Sequence, residues 1–234
     1  MTDGAKPAAM DDLRGFRVLP APQRARVAAA MREQRVERGA RLFSQGALAD
    51  RVWAVHAGSV HIVKLGAEGR ALIAEVIAPG ELFGAVVALE QRPYPASAVS
   101  AEASVVWSVP ALLVRELCQL YPALRAAILE QVTGRLRAAH ERLQSVAHEP
   151  VDQRLARLLL TLADKFGQPR DGLLVVTATR QELADMIGTT VETAIRITSR
   201  WQRDGIVRGA RQELALADPT ALRAIARGDR PPPR

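Results

Sequence analysis

The 234-residue sequence holds a single cysteine, Cys118. One thiol excludes, within one chain, an internal disulfide, a four-cysteine zinc site and a cysteine-ligated iron–sulfur cluster. It fits a reducing, cytoplasmic setting. No run approaches the roughly 18 apolar residues that a membrane-spanning helix needs, so no membrane partner is expected. Met1–Asp12 carries three acids and no long apolar stretch, unlike a signal peptide. Nucleophile elbow, phosphate-binding loop and zinc-protease patterns are all missing. A metal-binding β-roll of the cupin kind would want a His-x-His pair, a Glu and a further His. His56 and His61 stand five apart, with no third histidine in the β-rich region. The expectation is a protein that is not an enzyme, with no metal site. A cupin-like metal enzyme and a protein-interaction module are the alternatives.

What is present is a globular balance, 48% hydrophobic and 24% charged. That is enough apolar surface to bury a core. The formal net charge of +7 suits a polyanionic partner without identifying one. Residues 1–18 are expected to be flexible, with a short amphipathic helix over Pro22–Met31. Glycines then recur at Gly39, Gly46, Gly58, Gly66, Gly69, Gly80 and Gly84. Between and beyond them lie the β-rich runs Arg51–His56, Ser59–Leu65, Ala71–Ile77 and Ala98–Val109. Short strands punctuated this way predict an antiparallel roll or barrel. Within Ser59–Leu65 the alternation places Val60, Ile62 and Lys64 on one face, Ser59, His61 and Val63 on the other.

Pro110 opens a helical region, and Pro122 suits the first turn of a long helix. Ile128, Val132, Leu136, Ala139, Leu143 and Val146 follow at steps of four, four, three, four and three, close to a heptad seam. Arg125, Glu130, Arg135, Arg137, Glu141 and Arg142 make its solvated faces. Such a seam packs either on its own domain or on a second copy as a coiled coil. His148-Glu149-Pro150 ends the helix and is the expected hinge. Val151–Phe166 reads as another helix, with Leu155, Leu158, Leu159 and Leu162 on one stripe. Gly167–Gly172 reads as a loop, Leu173–Thr177 as a strand, and Gly228–Arg234 as a disordered tail.

The segment Arg180–Trp201 reads RQELADMIGTTVETAIRITSRW. Thr179 is an N-cap with Glu182 as its capping-box partner. One helix runs to about Ile187, Gly188 supplies a left-handed turn, and Thr190 caps a second helix from Val191 to about Arg203. Leu183, Ala184, Ile187, Ala194 and Ile197 face inward. The pattern predicts a helix-turn-helix. Glu192 and Arg196, four apart, share one face of the second helix. Arg can donate two hydrogen bonds to guanine, Glu can accept from cytosine, and Val191 offers an apolar contact to a thymine methyl. Thr179, Arg180, Gln181, Thr190 and Thr193 are candidates for phosphate contacts. Ile206–Val207 and Glu213–Leu216 form a wing hairpin, making the domain a winged helix.

From about Leu19 to Leu216 the sequence resembles the CRP/FNR family of bacterial transcription regulators. The most specific match is Thr190-Val191-Glu192-Thr193-x-x-Arg196, which looks like an FNR-type recognition helix. The resemblance implies an α+β fold: an N-terminal antiparallel β-roll of the cyclic-nucleotide-binding kind, a long dimerisation helix and a C-terminal winged helix-turn-helix. It places the sensor at 19–121, the dimerisation helix at 122–148, the DNA-binding domain at 149–217, and a C-terminal helix and tail at 218–234. It implies a homodimer on double-stranded DNA with RNA polymerase as a partner, and a TTGA-like half-site because Val191 stands where the CRP branch has Arg. Ile195 departs from the small hydroxyl residue usual in the FNR pattern, which bears on one outer base pair. The Ile128–Val146 seam becomes the dimer interface.

The sensor departs further. Pro79-Gly80-Glu81-Leu82-Phe83-Gly84 resembles the start of the cyclic-nucleotide cassette, but Ala85 stands where binding members have the ribose-holding Glu. Ala96 stands where they have the phosphate-neutralising Arg. Two lost bonds of about 1.5–3 kcal/mol each would weaken nucleotide binding severely. No cofactor is therefore assigned, and cyclic nucleotide and haem remain alternatives. Candidate effector-pocket residues are Gly80, Glu81, Phe83, Gly84, Arg92, Tyr94, Ser97 and His140. His56, His61, His140, His148 and Cys118 are haem ligands by type alone.

Overall fold

The chain divides into two compact units, residues 1–137 and 138–234. A computed structural model describes residues 13, 15–65, 71–209 and 212–229. The flexibility expected of residues 1–12 and of the extreme tail lies outside the described residues.

In the first unit a 3-10 turn (Phe16–Val18) precedes α1 (Ala21–Ala30). The strands are β1 (Arg32–Val36), β2 (Arg41–Phe43), β3 (Arg51–Ala57), β4 (Val60–Leu65), β5 (Ala71–Ile77), β6 (Leu82–Phe83), β7 (Ser97–Ser100) and β8 (Ser104–Pro110). Helix α2 (Ala85–Leu89) follows β6, and α3 (Ala111–Leu120) follows β8. All pairings are antiparallel, in two four-stranded sheets ordered β1-β8-β3-β6 and β2-β7-β4-β5. This is the expected roll. Trp107, Phe16, Phe83, Leu117 and Leu124 fill its core.

Several expectations need correction. Leu13 and Phe16 are buried in the core, so a flexible lead does not extend to residue 18. The run Ala98–Val109 is two strands in different sheets, not one. Ser100 and Ser104 hydroxyls both donate to the Glu102 carbonyl, at 2.6 and 2.9 Å, and hold the bend between them. The alternation in β4 breaks because its register against β5 shifts between Ile62 and Val63. Strands β1 and β2 left no pattern to read. β1 is an edge strand, exposed along most of its length, so nothing selects apolar residues there.

Helix α4 (Pro122–His148) has the expected bounds. Its seam does not begin at Ile128, which is 5% exposed and packs in the roll's core with Leu124. The neighbouring Leu129 is 59% exposed, as are Leu136, Leu143 and Val146 by more than half. The stripe therefore runs through the exposed Leu129, Leu136, Leu143 and Val146, with the half-buried Val132 and Ala139 between them, at steps of three, four, three, four and three. The division between the two compact units, at Arg137, falls inside this helix.

The second unit holds α5 (Val151–Phe166), β9 (Gln168–Arg170), β10 (Leu173–Thr177), α6 (Arg180–Ile187), α7 (Val191–Arg203), β11 (Val207–Arg208), β12 (Glu213–Leu216) and α8 (Pro219–Arg227). Its sheet is ordered β11-β12-β10-β9. The expected loop at 167–172 contains β9, which pairs with β10 across a two-residue turn. Asp171 and Gly172 both have positive φ, 51° and 75°, as a type I′ hairpin turn requires. Leu155, Leu159, Leu183, Ile197, Trp201 and Leu222 fill the core.

Candidate DNA-reading face and ligand cavity

The helix-turn-helix is built by local signals. The Thr179 Oγ1 accepts from the Glu182 backbone N–H at 3.1 Å, and the Glu182 carboxylate accepts from the Thr179 N–H at 2.7 Å. This is the expected capping box. Gly188 ends α6 at φ 67°, in the left-handed region that glycine alone adopts freely. Thr190 caps α7, its Oγ1 accepting from the Thr193 N–H at 3.3 Å. Leu183, Ala184, Ile187, Ala194 and Ile197 are all buried, as expected. The burial of Thr198 and Trp201 was not read from the sequence, although both continue the same stripe.

With that face packed, α7 turns Glu192, Ile195 and Arg196 outward, and Thr190 is exposed at its cap. Among the described residues Arg196 makes no hydrogen bond or ion pair, with Glu192 or otherwise. Its guanidinium is available to a ligand. The Glu192 carboxyl is held below the usual carboxylate range by its own backbone N–H and the Thr190 hydroxyl. It is therefore a charged acceptor. Val191 and Thr193 are half-buried beside them, and Gln181 is exposed but donates to Asp185 at 2.8 Å. Thr179 is engaged in its cap.

Arg180 differs from the free phosphate contact expected of it. Its Nε donates to the Thr198 hydroxyl at 3.1 Å, and its Nη1 is buried without a partner. Burial pushes its pKa down. The side chain braces α6 against α7.

In the roll a cavity of about 220 Å³ opens between the sheets, α2 and α4. Of the expected pocket residues, Phe83, Gly84 and Tyr94 line it; Gly80, Glu81, Arg92, Ser97 and His140 do not. The Glu81 carboxylate caps a turn by accepting from the Ala78 N–H at 3.1 Å. Arg92 is 75% exposed and pairs with Glu90, so it is not the cavity's cation. The Ser97 hydroxyl accepts from the Gln45 N–H, and His140 is exposed on α4. His56 stacks on Trp107 at 4.1 Å, His61 is buried in β4, and neither lines the cavity. Cys118 is buried, which pushes its thiol pKa up.

Sequence reading missed the cavity's ionic pair. Arg135, expected on a solvated face, is 27% exposed, and its Nε lies 2.7 Å from a Glu75 carboxylate oxygen. It also donates to the Leu82 carbonyl. The one signal was Glu75 itself, a lone charge within the apolar run ALIAEVI. Ala85 and Ala96, which stand where the family resemblance implies the Glu and Arg of a nucleotide site, line the cavity and are both under a tenth exposed. The residues present do not fit a cyclic nucleotide.

A winged helix-turn-helix with an outward Glu/Arg pair defines a DNA-binding class of protein, here continuous, through a long helix with an exposed apolar stripe, with a β-roll that holds a cavity. The comparisons agree. Residues 33–121 match the cyclic nucleotide-binding domain, and residues 153–225 match the Crp-like helix-turn-helix domain. The transcriptional activator protein Anr of Pseudomonas protegens is 26% identical over 195 residues, 82% of this chain and 80% of that protein. The CRP-like cAMP-activated global transcriptional regulator of Mycobacterium tuberculosis is 26% identical over 192 residues, 81% and 86% of the two chains. A CRP-family transcriptional regulator from Thermus thermophilus superposes with TM-score 0.75 at 23% identity, over 84% of this chain and 97% of that one.

The chain belongs to the CRP/FNR family of transcription regulators. It is a DNA-binding regulator, and the family is not one of enzymes. Among the described residues no helix is long and apolar enough to cross a membrane.

Proposed function

We propose that this chain works as a cytoplasmic homodimer, in concert with RNA polymerase, on a palindromic TTGA-like site. Each α7 enters a major groove, with half-sites about one helical turn, roughly 34 Å, apart. Arg196 reads guanine, Glu192 reads cytosine on the paired strand, and Val191 and Ile195 meet thymine methyls. Thr190, Thr193 and Gln181 set the register on phosphates, with Thr179 capping α6 and Arg180 holding the helix pair in place. The observation that carries the reading is the outward, unpaired Arg196 beside the charged Glu192. The stripe Leu129 to Val146 supports dimerisation, because its heptad spacing suits a two-stranded coiled coil. The roll is its sensor.

The test is fluorescence anisotropy of the full-length chain against a TTGA-N6-TCAA duplex and a scrambled duplex, with and without cyclic AMP. Tight, selective binding indifferent to cyclic AMP is expected. Selective binding only with cyclic AMP overturns the account of the sensor. Equal binding to both duplexes overturns the half-site.

A further inference from the structure

We propose that the cavity of the roll binds a small, uncharged, largely apolar molecule, and that the Glu75–Arg135 pair is the device that turns anions away. The proposal deepens the sensor part of the function proposed above.

The charge balance carries it. The charged side chains lining the cavity are Glu75 and Arg135, and they neutralise each other across 2.7 Å. Arg135 is further committed to the Leu82 carbonyl. An anion entering here meets the Glu75 carboxylate beside a guanidinium whose charge that carboxylate already balances. Burying a charge without a counter-charge is strongly unfavourable.

The Gln131 carbonyl and the Tyr94 hydroxyl are also engaged by the protein itself. The Gln131 side-chain oxygen accepts from the Leu82 N–H at 3.2 Å. The Tyr94 hydroxyl accepts from Trp53 Nε1 at 3.0 Å and donates to the Arg51 carbonyl at 2.8 Å. Tyr94 thus offers a ring, not a hydroxyl. That ring stacks on Phe43 at 3.7 Å between centroids, and Phe83 lies 6.0 Å from Phe43. The wall so formed is aromatic. Gly84, at φ 69°, keeps it open, since a Cβ there would stand 3.0 Å from the Tyr94 ring. At about 220 Å³ the space suits a ligand smaller than the drug-sized molecules that fill pockets of roughly 300–1,000 Å³.

The test uses a matched pair of probes, 1-naphthol (uncharged at neutral pH) and 1-naphthoate, with cyclic AMP as a third. Isothermal titration calorimetry on the full-length chain should show 1-naphthol binding at least about tenfold tighter than 1-naphthoate, and no heat from cyclic AMP. Val86→Trp, at a partly exposed lining position, and Ala96→Phe should each abolish 1-naphthol binding by filling the space. Glu75→Gln should shift the preference toward 1-naphthoate by at least about tenfold, because it leaves the Arg135 charge unmatched. The proposal is overturned if 1-naphthol fails to bind, if 1-naphthoate or cyclic AMP binds as well, or if both filling variants bind 1-naphthol like the wild type. No DNA is present, so an incorrect half-site leaves these results untouched. Equally, a failed naphthol titration leaves the anisotropy result standing.

Discussion

The reading face of α7 and the cavity of the roll are both recognition surfaces, yet they are made in opposite ways. The reading face is one helix of 13 residues whose outward groups are four apart in sequence. Its geometry follows from helical period and two caps. The cavity draws its lining from Phe43 through Arg135, across both sheets and two helices. Its geometry exists only once the roll has folded. The first presents a charged acceptor and an unpaired cation to water; the second has neutralised its charges internally. The surface that meets a polyanion keeps its cation free, while the cavity pairs the cation that lines it.

Four substitutions sharpen or break this contrast. The largest effect is expected from Trp201→Ala, which removes the biggest buried side chain of the second unit and should destabilise it by about 3–5 kcal/mol. Scanning calorimetry should show one unit melting early, with 1-naphthol binding by the roll retained. Loss of cavity binding as well would show that the two units fold as one. Next, Arg196→Ala should weaken the specific duplex by about 1–3 kcal/mol and relax choice at the guanine. Its melting temperature should stay unchanged, because an exposed, unpaired side chain contributes little to stability. A variant binding as tightly and selectively as the wild type would place the reading residues elsewhere.

Gly188→Ala should destabilise by about 1–2 kcal/mol through the left-handed turn alone, since open space surrounds the missing Cβ. Urea unfolding followed by circular dichroism measures it. An unchanged midpoint would mean that the turn relaxes to another conformation. The smallest effect is expected from Thr179→Ala, at about 1 kcal/mol for a lost N-cap. Its readout is a lowered melting temperature with base preference intact. Altered base preference would show Thr179 to be a DNA contact rather than a cap.

The same contrast explains what was legible beforehand. Helices α6 and α7 could be read because Thr179, Glu182, Gly188 and Thr190 act on neighbours a few residues away. The long helix was readable in extent from Pro122 and Pro150, but not in phase. Ile128 and Leu129 are equally apolar, and only the folded roll decides which one is covered. Arg135 looked like one more cation on a polar face, because its partner Glu75 lies sixty residues away in sequence. β1 was invisible for a different reason: an exposed edge strand asks only for backbone pairing, which any charged sequence provides.

Cys118 bears on how these experiments can be done. Its thiol is covered and its pKa is raised, so little thiolate forms near neutral pH to meet a maleimide or iodoacetamide. The native chain is thus close to silent toward alkylating dyes. A cysteine placed at an exposed site such as Arg203 would be the one fast-reacting handle. Fluorophores or spin labels could then be attached at a chosen point without first stripping the protein of its own sulfhydryl.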